Sequence, residues 1–222
     1  GISQLRPPVP KYSYTWKVSE VLDFVKSLGK NEQLNFKLLS FKLAMLLSLT
    51  APDRSSDLVK RDLRYRTFHP EGVSFILHGL SKTSRPEDPP KVCFHAAFPS
   101  DVDLCPVECL KCYEALTSAF RPKYPSLPNQ LFLSYIRPHN PVTSSSVAWW
   151  IKSVLELSGI HVSIFTAHSV RGAATSEALN QGTSIPDILR MASWSNESTF
   201  QRFYLRPQFD SSPGKAVLSV RE

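Results

Sequence analysis

Residues 34–49, LNFKLLSFKLAMLLSL, are apolar almost all the way round a helical wheel. A helix with a single apolar stripe can lie on a protein surface, but one that is apolar on nearly every side has to be covered by other elements. The segment is too short for a membrane, where about 20 such residues are needed. It therefore predicts a central buried helix, and the rest of the chain must supply the elements that pack around it.

Those elements are readable in outline. Residues 1–14 are expected to form an extended lead-in, residues 15–207 one folded domain and residues 208–222 a C-terminal tail. Val18, Val21, Leu22, Val25 and Leu28 recur at helical spacing and stop at Gly29, a natural helix terminator. Pro52 and Asp53 predict the start of a further short helix, with Asp53 as its N-cap. Between residues 62 and 98 the texture changes, because GVSFILHG and KVCFHAAF are rich in β-branched and aromatic residues and the polar run SKTSRPEDPP separates them. That pattern predicts a β-hairpin or small antiparallel sheet with a long tip. Helical periodicity returns over residues 107–120, 144–158, 167–180, 185–192 and 198–204, with one short strand expected at 131–134. No internal repeat is visible. Helices, a small antiparallel sheet and then more helices describe a mostly helical α+β domain.

Hydrophobic residues make up 42% of the 222 and charged residues 20%, so a core can form without disulfides or a structural metal. The 18 prolines outnumber the 8 glycines and cluster at residues 7–10, 86–90 and 122–128, as stiff connectors between folded pieces. The formal charge is +7 and the pI about 9.3, a balance that favours a polyanionic partner such as nucleic acid. Cys105, Cys109 and Cys112 form the run CPVECLKC, which resembles half of a zinc site. No second pair of ligands follows at the needed spacing, and the run opens a helical pattern, so free thiols in a core are expected. Together with Cys93 they suit a reducing compartment, and no signal peptide or membrane-spanning stretch is evident, so a soluble intracellular protein is expected.

Polar residues in apolar company concentrate in the C-terminal third, as TAHSVRGAA, MASWSN and FQRFYLRP. His168 and Arg171 are spaced to share one helical face. Arg54 follows the central helix in APDRSSD, and Lys82 lies at the hairpin tip. Attack on a DNA phosphodiester without a metal needs this kind of set. Two guanidiniums, Arg54 and Arg171, would hold the non-bridging oxygens as negative charge gathers there. A tyrosine nucleophile, with an ordinary pKa near ~10, needs a base and a positive field to lose its proton. Tyr204 fits as nucleophile, His168 as acid and base, and Lys82 as the acid that protonates the leaving oxygen. Phe203 beside it has no hydroxyl, and Tyr113, Tyr124 and Tyr135 lie before the His168 segment and are expected to be structural.

The ordered set Arg54, Lys82, His168-Ser-Val-Arg171, Trp194 and Tyr204 resembles the tyrosine recombinase (phage integrase) family, over residues 34–207. In LTAPDRSSDL, SIFTAHSVRGAATS and WSNESTFQRFYLRP it is most similar to the recombinases of DIRS-like retrotransposons of eukaryotes. The resemblance implies integration or excision of a mobile element in the nucleus, with no cofactor or metal. It implies homo-tetramers acting on two double-stranded DNA duplexes through a Holliday junction, and an additional N-terminal helical domain that closes around DNA. It also implies that Asp57, where glutamate is commoner, buttresses a neighbouring catalytic side chain. Trp194 stands where many members have a second histidine; its indole N–H can donate to the phosphate but cannot shuttle a proton.

Lys60, Arg61, Arg64 and Arg66 form a basic run, and Arg85, Arg190, Arg202 and Arg206 add positive charge. Of these, Lys60, Arg61, Arg64, Arg85, Arg202 and Arg206 are expected to meet phosphates, positioning a duplex without reading its bases. Two other readings compete: a catalytically inactive, host-domesticated DNA-binding or protein-interaction module, and a type IB topoisomerase, which shares the chemistry.

Overall fold

The structure, a computed structural model, describes residues 11–77, 90–124, 126–192, 194 and 197–207. The expected central helix is α2 (Phe36–Thr50), and it is the axis of the domain. Asn35 caps it, its side-chain oxygen accepting from the Leu38 backbone N–H at 3.0 Å. Leu39, Phe41, Leu43, Ala44, Met45, Leu46 and Leu47 are all buried. Even Lys42 is fully buried, its ammonium donating to the Gly29 carbonyl at 3.0 Å. Around α2 pack α4 (Pro106–Thr117), α5 (Ser144–Leu157) and α6 (Ser169–Asn180). The first helix, α1 (Val18–Ser27), buries Val18, Val21 and Val25, and the chain reverses at Gly29, whose φ of 84° suits glycine.

The sheet is three-stranded and antiparallel in the order β1 (Arg66–His69), β2 (Gly72–Leu77), β3 (Lys91–Ala96). Phe75 pairs with Cys93 and Val73 with His95, so strand alternation turns Val73, Phe75, Leu77, Cys93 and His95 into the core. The tip of the β2–β3 hairpin, with Lys82 and Arg85, lies outside the described residues, as do most of the lead-in and the C-terminal tail.

Three local expectations are corrected. The cap of α3 (Ser55–Leu58) is Arg54, not Asp53. Asp53 instead turns into the core to meet Arg61, a charged partner that a cap would forfeit. Residues 131–134 form no strand; the Leu131 N–H goes to the Arg61 carbonyl, and only isolated bridges, Leu133 with Pro141 and Asp62 with Gln130, form nearby. Helix α6 begins at Ser169, so His168 stands at its threshold with helical dihedrals (φ −64°, ψ −27°). Cys105 and Cys109 are buried at the start of α4, and burial holds both the Cys93 and Cys109 thiols well above their usual pKa, Cys93 at about 12. No helix among the described residues is long and apolar enough to cross a membrane.

Candidate active site

Two short helices complete the C-terminal part, α7 (Ile185–Ala192) and α8 (Glu197–Phe203). They place Trp194 and Tyr204 against the first turn of α6. Gly172 makes this approach possible: a Cβ there would lie 3.2 Å from the Tyr204 carbonyl oxygen, tighter than ordinary contact. One turn on, the Ser176 hydroxyl donates to that same carbonyl at 3.1 Å and accepts from the Arg206 N–H at 3.0 Å. The segment carrying Tyr204 is thus laid along α6 by a missing side chain and a hydroxyl.

Arg171 is the centre of the cluster. Its guanidinium carbon sits 5.1 Å from the Trp194 ring centroid and 5.2 Å from that of Tyr204, and those rings stack at 4.2 Å with 24° between planes. Arg171 is 3% exposed, and burial lowers its pKa. One terminal nitrogen reaches the Ala192 carbonyl at 3.4 Å, while Nε and the other terminal nitrogen have no hydrogen-bond partner among the described residues. Buried donors left unpaired cost about 1–3 kcal/mol each. Aromatic faces recover part of that.

The His168 ring lies 5.8 Å from the Tyr204 ring. Burial lowers its pKa to about 4, helped by the charges of Arg171, Lys11 and Arg54, so it is neutral at pH 7. His168 forms part of the wall between two hollows. One is lined by Tyr12, Gly172, Tyr204 and Arg206, the other by Asp53, Arg54, Ser55 and Lys152. Arg54, His168, Arg171, Trp194 and Tyr204 are therefore gathered in one region from four separate pieces of chain. Asp57 is buried behind Arg54; its carboxylate accepts from the Arg54 backbone N–H at 3.4 Å and lies 4.0 Å from the Lys91 ammonium. Lys82 and Arg85 are outside the described residues. No group of three metal-ligating side chains occurs among those described.

Of the residues expected to meet phosphate, Arg61 is corrected. Its side chain is fully buried, 2.7 Å from the Asp53 carboxylate and 2.9 Å from His95 Nε2, and so is out of reach of DNA. Arg64 grips Asp62 at 2.8 Å and the Ser126 carbonyl at 2.9 Å. Arg206 donates to the carbonyls of Tyr12, Leu205 and Arg202. Lys60 is half-buried and Arg202 exposed.

The residues that sequence reasoning missed form the support behind Arg54. Asp53 accepts from Arg61 and from Lys91; burial alone would raise its pKa, but these two cations outweigh it and hold it at about 2. His95 bridges Arg61 to the Thr50 hydroxyl (2.8 Å), and burial with the Arg61 charge keeps its pKa well below the usual value. The inward position of His95 was readable from the alternation of KVCFHA. The pairing of Asp53 with Arg61 was not, since it depends on the turn after α2.

No protein-family model and no curated protein matches the chain. Solved structures do. The XerH site-specific recombinase bound to its difH substrate superposes with a TM-score of 0.65 at 13% identity, over 96% of this chain and 54% of that one. XerA recombinase gives 0.64 at 15% identity, over 98% and 68%. Lambda integrase residues 75–356, solved as a dimer on a COC′ core site, gives 0.58 at 13% identity, over 95% and 66%. The chain thus spans about half the length of the XerH protein it matches. With its helices around a buried α2, its three-stranded sheet and its C-terminal α6–α8, the chain has the fold of a tyrosine recombinase catalytic domain.

Proposed function

We propose that this domain cuts and rejoins double-stranded DNA through a covalent link to Tyr204. The observation that carries the reading is the buried Arg171 guanidinium, with two nitrogens unpaired among the described residues, packed against the Tyr204 ring. A site that keeps donors desolvated and unsatisfied is organised for an anion yet to arrive. Solved neighbours of the same fold bound to DNA, among them XerH on difH, support a duplex as the source of that anion.

In this reading Arg54 and Arg171 hold the non-bridging oxygens of the scissile phosphate, and the Trp194 indole N–H adds a third donor. The Tyr204 hydroxyl oxygen bonds to phosphorus, the bond to the 5′ oxygen breaks, and a 3′-phosphotyrosine forms. The tyrosine proton passes to His168, and the departing 5′ oxygen takes a proton from Lys82. Neutral His168 is ready to accept. The phosphate offsets the positive charges that depress its pKa, so binding makes it a better base. Rejoining is the reverse, with a 5′-hydroxyl from another strand. Action as a tetramer on two duplexes, in the nucleus and on behalf of a DIRS-like mobile element, belongs to the same proposal.

The test is covalent trapping on nicked suicide DNA in chelator-containing buffer. Wild type is expected to form a protein–DNA adduct and Tyr204→Phe none. Retained DNA binding without any adduct would replace the proposal with an inactive binding module, and relaxation of supercoiled DNA without strand exchange would point to a topoisomerase.

A further inference from the structure

Residues 11–16, of which 11–14 were expected only as a lead-in, dock across the site and hold two parts of it. On one side they grip the loop that leads into His168. The Tyr12 hydroxyl is 2.8 Å from the Thr166 hydroxyl and accepts from the Thr166 N–H at 3.3 Å. The rings of Tyr12 and Tyr14 pack on Phe165 at 5.5 and 5.4 Å. The buried Trp16 indole N–H donates to the Ser169 hydroxyl at 2.9 Å. On the other side they grip the segment that carries Tyr204, where the Thr15 N–H donates to the Pro207 carbonyl at 2.9 Å.

Arg206 locks the two sides together. Its Nε donates to the Tyr12 carbonyl, and its terminal nitrogens donate to the carbonyls of Leu205 and Arg202, the latter at 2.6 Å. Those last two carbonyls flank Tyr204. Burial lowers the Arg206 pKa, as expected of a guanidinium turned toward protein. A planar fork can hold three carbonyls at once, which a lysine ammonium on a flexible stem cannot do in the same geometry.

We propose that the 11–16 strap and Arg206 form a positioning clamp that sets where the Tyr204 hydroxyl stands relative to His168. Its catalytic meaning rests on the function proposed above. Arg206 is then a positioning residue and not a phosphate ligand. Reaction rates are steeply sensitive to such placement, a displacement of about 1 Å costing roughly 100-fold.

Two measurements test this on wild type, Arg206→Ala, Arg206→Lys and Tyr12→Phe. The first needs no DNA: amide exchange at Tyr204 and Leu205, whose N–H groups both bond the Phe200 carbonyl at 2.9 Å. The clamp predicts faster exchange there in all three variants, and unchanged exchange overturns it. The second compares adduct formation under single turnover with DNA affinity across salt. The clamp predicts cleavage slowed roughly 10- to 100-fold in both Arg206 variants, with affinity and its salt slope unchanged. Rescue by lysine, or a salt slope reduced by about one in Arg206→Ala, would make Arg206 a phosphate ligand and overturn the clamp. If wild type forms no adduct, the recombinase reading falls, and amide exchange alone still decides the clamp.

Discussion

Replacing Gly172 by alanine sets two calculable effects against each other. Gly172 lies within α6, where alanine is favoured over glycine by about 1 kcal/mol. In a chain of this size that alone would raise Tm by about 2–4 °C. The added Cβ, however, would stand 3.2 Å from the Tyr204 carbonyl oxygen and 3.9 Å from its Cα. Relief requires a shift of a few tenths of an ångström, and because the crowded atom is backbone, the whole of Tyr204 must move. The Ser176 hydroxyl that holds this carbonyl resists the movement. Stability is therefore expected to change little, with the propensity gain offset by the crowding. At roughly 100-fold per ångström, the same shift slows attack about three- to tenfold. The assay pairs thermal unfolding with single-turnover adduct formation on suicide DNA. A Gly172→Ala protein that cleaves at the wild-type rate would refute the argument that this contact sets the nucleophile. A protein that loses several degrees of Tm would refute the claim that the crowding is small.

Three further outcomes are expected. Arg171→Met should leave Tm unchanged or raise it, because removing unpaired buried N–H groups, at about 1–3 kcal/mol each, outweighs lost cation–π contacts of about 0.5–2 kcal/mol; sulfate should raise the Tm of wild type and not of this variant, and a large fall in Tm would contradict the unpaired donors. Arg61→Met should lower stability by about 1–3 kcal/mol, because buried Asp53 loses one of its two cations and keeps only Lys91, without altering the salt dependence of DNA binding, whereas Lys60→Ala should reduce that slope. Stability should decline as pH falls from about 6.5 toward about 4, since His168 has a depressed folded pKa and the unfolded chain binds its proton first; His95 adds in the same direction, and His168→Asn should flatten part of the profile in pH-dependent thermal unfolding. Below the ordinary carboxylate value of 3.8 Asp53 adds a further loss, its stabilisation disappearing as pH falls toward about 2.

Periodicity and local chemistry made much of this domain legible. The all-round apolar run became α2 because nothing but burial accommodates it, and the alternation of GVSFIL and KVCFHA became β2 and β3. The grouping of Arg54, His168, Arg171, Trp194 and Tyr204 could be anticipated because polar residues in apolar company, and a family resemblance, singled them out in the sequence. What stayed hidden depends on contacts between distant residues. Arg61 sat in a basic run and read as surface, yet its partner Asp53 turns inward after α2 and takes it into the core. Residues 131–134 have strand composition, but their backbone bonds are divided among unlike partners. The strap carries no periodic pattern, and the carbonyl partners of Arg206 are invisible in composition.

The bond from Thr15 to Pro207 spans almost the whole domain, and that has a consequence for the order in which the molecule assembles. Closing a flexible loop costs about 0.6 kcal/mol for every doubling of its length, so a contact between the two ends is entropically among the last to become favourable. The elements around α2 can form from closer contacts, but the seat of Tyr204 waits for the ends to meet. A nascent, nicked or half-refolded chain would already display the basic side chains that the proposal assigns to DNA binding. On the function proposed above, it would not yet hold Tyr204 in place, and strand breakage would be confined to molecules that have finished folding.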